Sequence, residues 1–230
     1  MEEMCYTFTD ENMVGADGVE WKLGDWQISH PIKFARGGQV EGWFNAYKSP
    51  ITATVLFDDR YFYSGDFHRQ SKDARLFCAI AGGKVMELHY AHKWCKRIKL
   101  IKEEPLPEIE TEERVALAIL FAQVAMTDNE WSQWATKWLK NEDRTAESAE
   151  IVKKNKREFM VLVNFGGRVS LIQPALWALS AAIAASQGNK EVAIDDSAFA
   201  VHMSLMRGGC GLKIEKLLES VRAGDYLTKP

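Results

Sequence analysis

Three groups of residues have types and spacings that could do chemistry. His89, His92 and Cys95 read H-x-x-H-x-x-C, and zinc takes three or four converging nitrogen and sulfur ligands. On a helix two of these side chains would meet. The local pattern is strand-like, which sends successive members to opposite faces, and no fourth ligand lies nearby. The expectation is sheet-edge histidines and a buried cysteine, with no metal. Asp58-Asp59 and Glu87 form the second group, carboxylates of the kind that hold divalent ions in a nuclease. Such a site usually needs a lysine close by, whereas Glu87 is followed by Leu88-His89. The third group is a run of cations. Residues 84–102 hold six bases (Lys84, Lys93, Lys96, Arg97, Lys99 and Lys102) against Glu87, a net charge of +5.

Lys93, Lys96, Arg97 and Lys99 are the candidate partner-binding residues of that run. Residues 1–31 are its opposite, with seven acids against Lys22, a net charge of −6. Two readings compete. In the simpler one, the acidic N-terminus and the basic strand neutralise each other inside the fold. In the sharper one, the basic strand is an exposed anion-binding surface. Gly37-Gly38 and Gly82-Gly83 do not lie between a strand and a helix with phosphate-loop spacing. Ser64, Ser71 and the histidines show no strand–turn–helix nucleophile motif. No catalytic residue, metal site or cofactor is therefore expected.

The elements that must position these residues divide into two kinds. The segment 103–113, EEPLPEIETEE, has six acidic residues, no basic one, and Pro105 and Pro107 two apart. Spaced prolines and like charges resist helix and central strand, so the expected division is 1–104, a linker 105–114, and 115–230. Before it the pattern reads as β. Arg75–Ala81 and Lys84–Tyr90 flank Gly82-Gly83, a hairpin signal because the favoured turns need positive φ. In the next run Trp94, Ile98 and Leu100 should face the core while Arg97 and Lys99 face out. Further strands are expected at Glu20–Leu23, Val40–Phe44 and Arg60–Tyr63. One helix interrupts them, with Ser49 as N-cap and Pro50 at the first helical position.

After the boundary the period is helical. Val115–Met126 is apolar on nearly every face and reads as a central buried helix. Thr127 and Glu130 read as a capping box for the next helix, whose Trp131, Trp134 and Trp138 fall on one core stripe. A third helix is expected from about Thr145 to Phe165 and a fourth over Leu171–Ser186, with Pro174 admissible in its first turn. Asp195 or Asp196 reads as the cap of a fifth helix, and Leu212–Arg222 is a sixth. The fold class is thus α+β: a small antiparallel β domain with one helix, then an all-α bundle of about six helices.

The chain has 230 residues, 29 Lys+Arg and 32 Asp+Glu for a formal charge of −3, and 47% hydrophobic residues. That composition excludes a disordered or fibrous chain, and near-neutral charge argues against wholesale nucleic-acid binding. Four scattered cysteines form no C-x-x-C pair. The acidic N-terminus does not read as a secretory signal, and the longest small-apolar run, Pro174–Ala185, is too short to span a bilayer. The expectation is a soluble cytoplasmic protein with no membrane contact.

Glu41–Tyr47 (EGWFNAY) with Ser49-Pro50, and Ala74–Lys102, together resemble a family of uncharacterised phage and prophage proteins. Those begin with a small β-rich domain carrying a Gly-aromatic-His-Ala turn, a proline-started helix, a glycine-containing hairpin and a basic last strand with a cysteine. They continue into helices often labelled as immunity proteins, to which Ala118–Arg144 is similar. Asn45 stands where the turn has histidine, so no catalytic role is carried over to that position. The resemblance implies a phage or mobile-element origin. It suggests a protein that binds a macromolecular partner without catalysis, the partner being a host protein such as a defence component or toxin. Two alternatives stand beside it: an enzyme of the β domain acting on a nucleotide or phosphate-bearing substrate, and a weak nucleic-acid binder that contacts phosphates.

Overall fold

A computed structural model describes residues 2–15, 20–29, 32–33, 39–40, 42–56, 74–88, 91–162, 169–206 and 213–225. It is an α+β protein whose chain divides into two compact units, Met1–Glu108 and Ile109–Pro230. The division falls inside the acidic, proline-bearing segment.

The first unit contains β1 (Glu3–Thr9), β2 (Trp26–Ile28), β3 (Ile32–Lys33), β4 (Gln39–Val40), β5 (Phe44–Tyr47), α1 (Pro50–Leu56), β6 (Arg75–Leu88) and β7 (His92–Glu104). Strands β3 and β4 pair only with each other, and the other five form one antiparallel sheet. Its pairings close on themselves. Strand β1 lies on β6 from Glu3↔Ala81 to Thr9↔Arg75, β6 pairs with β7, β7 pairs with β5, and β5 returns to β1 at Tyr6↔Tyr47. Strand β2 adds to β7 through Trp26↔Lys99 and Ile28↔Arg97. The enclosed core is made of Cys5, Trp21, Phe44, Ala46, Phe77, Ala79, Ala81, Cys95, Ile98 and Leu100. Helix α1 starts as its sequence requires, with the Thr52 amide donating to Ser49 Oγ at 3.0 Å and Pro50 opening the helix.

Several sequence expectations are corrected in this unit. Gly82-Gly83 is not the hairpin turn. Strand β6 runs through it, and the β6–β7 ladder continues to Leu88↔His92. Phe77 therefore pairs with Thr7 and Glu103, and Met86 with Trp94. The glycines instead hold a β-bulge: β6 advances three residues from Gly82 to Val85 while β7 advances two from Arg97 to Cys95. The acidic N-terminus, to which no element was assigned, is β1, and its Cys5, Thr7 and Thr9 alternate inward. Glu20–Leu23 is not a strand; Glu20 makes a single bridge to Val14. Val40–Phe44 is split between β4 and β5, and Arg60–Tyr63 lies outside the described residues. Trp94 is only half-buried and does not belong to the core cluster.

The second unit contains α2 (Thr111–Ala125), α3 (Asn129–Leu139), α4 (Ala146–Leu162), α5 (Val169–Ser186), α6 (Lys190–Met206) and α7 (Ile214–Ala223). Helix α2 packs on α5 and α6, and it buries Leu117, Ala118, Ile119, Phe121 and Ala122 on all sides. It begins earlier than its apolar run suggests, because the Glu113 carboxylate accepts from the Glu110 amide at 2.9 Å and satisfies one open donor of the first turn. The linker is accordingly shorter than 105–114. Strand β7 takes up Glu103 and Glu104, and α2 takes up residues from Thr111.

The caps also differ from expectation. Asp128, not Thr127, caps α3 by accepting from the Trp131 amide at 3.0 Å. Its partner in the predicted capping box, Glu130, pairs with Lys156 at 2.9 Å instead. Asn189 caps α6 at the Val192 amide, which leaves Asp195 and Asp196 inside the helix. Pro174 lies in the second turn of α5 as described, not the first. The Trp131, Trp134 and Trp138 stripe is core, as its spacing predicts. Among the described residues no helix is long and apolar enough to cross a membrane.

Two outcomes test this description. Gly83 has φ +73, and a Cβ there would lie 3.2 Å from the Lys96 Cβ; Gly83→Val should destabilise the protein by about 1–3 kcal/mol in a denaturant titration. In the helical unit, Ile119 and Phe121 are both 0% exposed. Replacing either with Ala should cost about 2–5 kcal/mol, and silence of both changes would put α2 on the surface.

Candidate functional site

The bulge sets the outward chemistry of β7. On a regular strand residues two apart share a face, yet here Cys95 and Ile98, three apart, both enter the core. The two residues between them, Lys96 and Arg97, lie outside that core, Lys96 half-buried and Arg97 exposed. Lys99 follows Arg97 with ordinary alternation. Lys84, beside the bulge on β6, adds a fourth cation. Beside the bulge of β6, Lys84, Lys96, Arg97 and Lys99 all lie outside the core.

Two tryptophans organise these cations. The Arg97 guanidinium lies 4.8 Å and Lys99 Nζ 5.8 Å from the Trp26 ring centre. Lys96 Nζ lies 4.1 Å and Lys84 Nζ 5.6 Å from that of Trp43. Lys96 Nζ also donates to the Gly42 carbonyl at 2.6 Å. The Trp26 ring reaches across β7 to Gly82, where a Cβ would stand 2.7 Å from its tip. Only glycine leaves room for it. Trp43 in turn lies beside Trp94, with ring centres 6.5 Å apart. Trp26 and Ile28, two apart on β2, share a face, and Ile28 is 57% exposed.

The four sequence candidates therefore separate. Lys96, Arg97 and Lys99 are brought together, whereas Lys93 is buried and donates to the Glu3 carboxylate at 2.6 Å. That pair realises the neutralising reading of the acidic N-terminus at one point. The Lys93 ammonium holds the Glu3 carboxyl below its ordinary value, through its hydrogen bond first and its charge second. Asp10, another N-terminal acid, accepts instead from the amides of Asn12 and Val14 at 2.8 and 2.7 Å. Neither Arg97, Lys99 nor Lys84 has a carboxylate partner among the described residues.

Sequence reasoning placed Lys84 in the basic run but not in the site, and it missed Trp26 and Trp43. The signal for Trp43 was its place beside Gly42 in the turn motif. Trp26 lies in an acidic segment, so nothing local marks it as a platform for cations of a strand some 70 residues on.

The other chemistry-bearing groups do not assemble. His92 is 3% exposed, and its Nδ1–H tautomer donates to the Asn45 side-chain carbonyl at 3.1 Å. Its ring lies 5.0 Å from that of Tyr47, whose hydroxyl accepts from the Asn45 amide at 3.4 Å. Asn45 is thus part of a packed polar cluster with His92 and Tyr47. Cys95 is fully buried, and burial pushes its thiol up to about 12. Cys5 is raised to about 12 for the same reason. His89, Asp58-Asp59, Gly37-Gly38, Ser64, Ser71 and Cys210 lie outside the described residues. Glu87 pairs with Lys48 at 2.9 Å. Among the described residues no three or more His, Cys, Asp or Glu side chains form a group that could hold a metal ion.

Compared with family models, with curated proteins and with solved structures, the chain has no match in any of the three.

The Glu3–Lys93 pair gives a pH test. A carboxyl lowered from 4.5 in the folded state contributes stability that is present above 4.5 and lost as pH falls through its depressed value. Glu3→Gln should therefore flatten the fall of melting temperature below pH 4.5 while lowering stability at neutral pH. An acid limb of unchanged slope would show that the pair carries no linkage.

Proposed function

We propose that the protein acts by binding an anionic macromolecular partner, without catalysis, on the face formed by Lys84, Lys96, Arg97 and Lys99 with Trp26 and Trp43. One observation carries the reading. Several described cations elsewhere meet carboxylates: Arg75 with Glu103, Lys102 with Glu104, Lys156 with Asp128 and Glu130, Arg222 with Glu113; Arg144 instead lies singly over Trp138 at 4.3 Å. At the bulge, Arg97, Lys99 and Lys84 lie against indoles instead. A carboxylate partner cancels the field a ligand would feel, whereas an indole contact, worth about 0.5–1 kcal/mol when exposed, orients the cation and leaves its charge whole. Since residues 41–145 resemble phage and prophage proteins, the reading is of a mobile-element protein acting on a host macromolecule.

The double change Arg97→Glu with Lys99→Glu tests it. Both side chains point away from the core, so melting temperature should be unchanged. Retention of the full chain on an immobilised polyanion such as heparin should fall sharply, and with it the dependence of retention on salt, because exposed charges are screened within about 8–10 Å. Full retention by a stable double mutant would defeat the proposal. Loss of stability in that variant would return these residues to an internal neutralising role.

A further inference from the structure

Resting on that reading of the bulge face, we infer that its partner is a single-stranded nucleic acid, held by the backbone phosphates with bases against the indoles and Ile28. Cation spacing is the first support. Arg97 and Lys99 are two residues apart on an extended strand, about 6.6–6.8 Å at the usual rise, a separation comparable with that of successive phosphates in an extended single strand. Past the bulge Lys96 and Lys84, on neighbouring strands, form a second pair of cations on Trp43. Two cation pairs, each on its own indole, match a ligand with several phosphates better than one charged side chain does.

The second support is what lies between the cations. Trp26 stands between Arg97 and Lys99 on one side of the bulge, and the Trp43–Trp94 pair stands beside Lys84 and Lys96 on the other. Ile28 adds 57%-exposed apolar surface opposite Arg97. An acidic polypeptide satisfies the cations and offers the indoles nothing regular. Unpaired bases offer a flat apolar face at every phosphate, and base–aromatic stacking is sequence-tolerant. Duplex DNA offers the phosphates but keeps its bases stacked inside. The interleaving of cation and indole selects the single strand, with affinity from phosphate contacts and no reading of base edges.

The test measures fluorescence anisotropy of labelled oligothymidylate and oligouridylate of about 16 nucleotides with the full chain. Competitors are a duplex and a polyglutamate of equal charge. The expected result is binding to either single strand that weakens steeply with salt and quenches tryptophan fluorescence. Arg97→Glu with Lys99→Glu should weaken it about tenfold or more, and Ile28→Ser should weaken it without altering the salt slope. Thymidylate against uridylate distinguishes a DNA from an RNA source. Polyglutamate or duplex competing as well as the unlabelled single strand overturns the inference and leaves the binding face standing. Absence of oligonucleotide binding by a protein still retained on heparin through Arg97 and Lys99 does the same. Failure of both measurements removes the proposed function together with the inference.

Discussion

Between Gly82 and Val85 one strand takes up a residue more than its partner, and the backbone does so through a left-handed φ at Gly83. Most of the first unit's arrangement depends on that constraint. A residue with a Cβ is penalised there. With it satisfied, Cys95 and Ile98 both enter the core and Lys96 and Arg97 both leave it. The same stretch needs a second glycine for a different reason, since Gly82 is the floor on which Trp26 rests. One glycine is required for conformation and its neighbour for space, and together they join the packing of the closed sheet to the charge on its surface.

The helical unit is organised by a different principle. Its central helix needs no polar face, because neighbours cover it on every side, so its specificity comes from its ends and from polar ties around it. Lys156, 8% exposed in a helix whose sequence reads as solvated, reaches Asp128 and Glu130 at the start of α3. Asp128 is also that helix's cap. Hydrogen bonds from Lys156 and Asn155 hold the Glu130 carboxyl below its usual range despite partial burial. A single lysine thereby fixes where α3 begins and how α4 lies against it.

The α+β class, with a strand region followed by a helical one, was legible because it rests on local pattern: alternation, helical period, proline and like charge. The serine cap and proline start of α1 were legible for the same reason. Gly82-Gly83 was misread because two glycines between apolar runs satisfy a turn and a bulge equally, and only the pairing partner decides. Strand β1 was hidden by its short alternation of cysteine and threonines, which carries little hydrophobic contrast. The outward direction of Arg97 and Lys99 could be read from Ile98 and Leu100. The burial of Lys93 could not, since it follows from Glu3, 90 residues away. Trp26 was invisible as a cation platform because that role is defined across strands.

Glu113 has two tasks in the helical unit: it accepts from the Glu110 amide at the start of α2, and it pairs with Arg222 on α7 at 2.7 Å. Glu113 and Arg222 lie 109 residues apart in the chain. At about 5–20 residues per second, α2 emerges from the ribosome roughly 5–20 s before the arginine that pairs with Glu113. During that interval the central helix of the unit is synthesised but not enclosed. The order of synthesis thus opposes the order of packing, and the nascent chain depends on whatever shelters α2 until its last neighbour arrives.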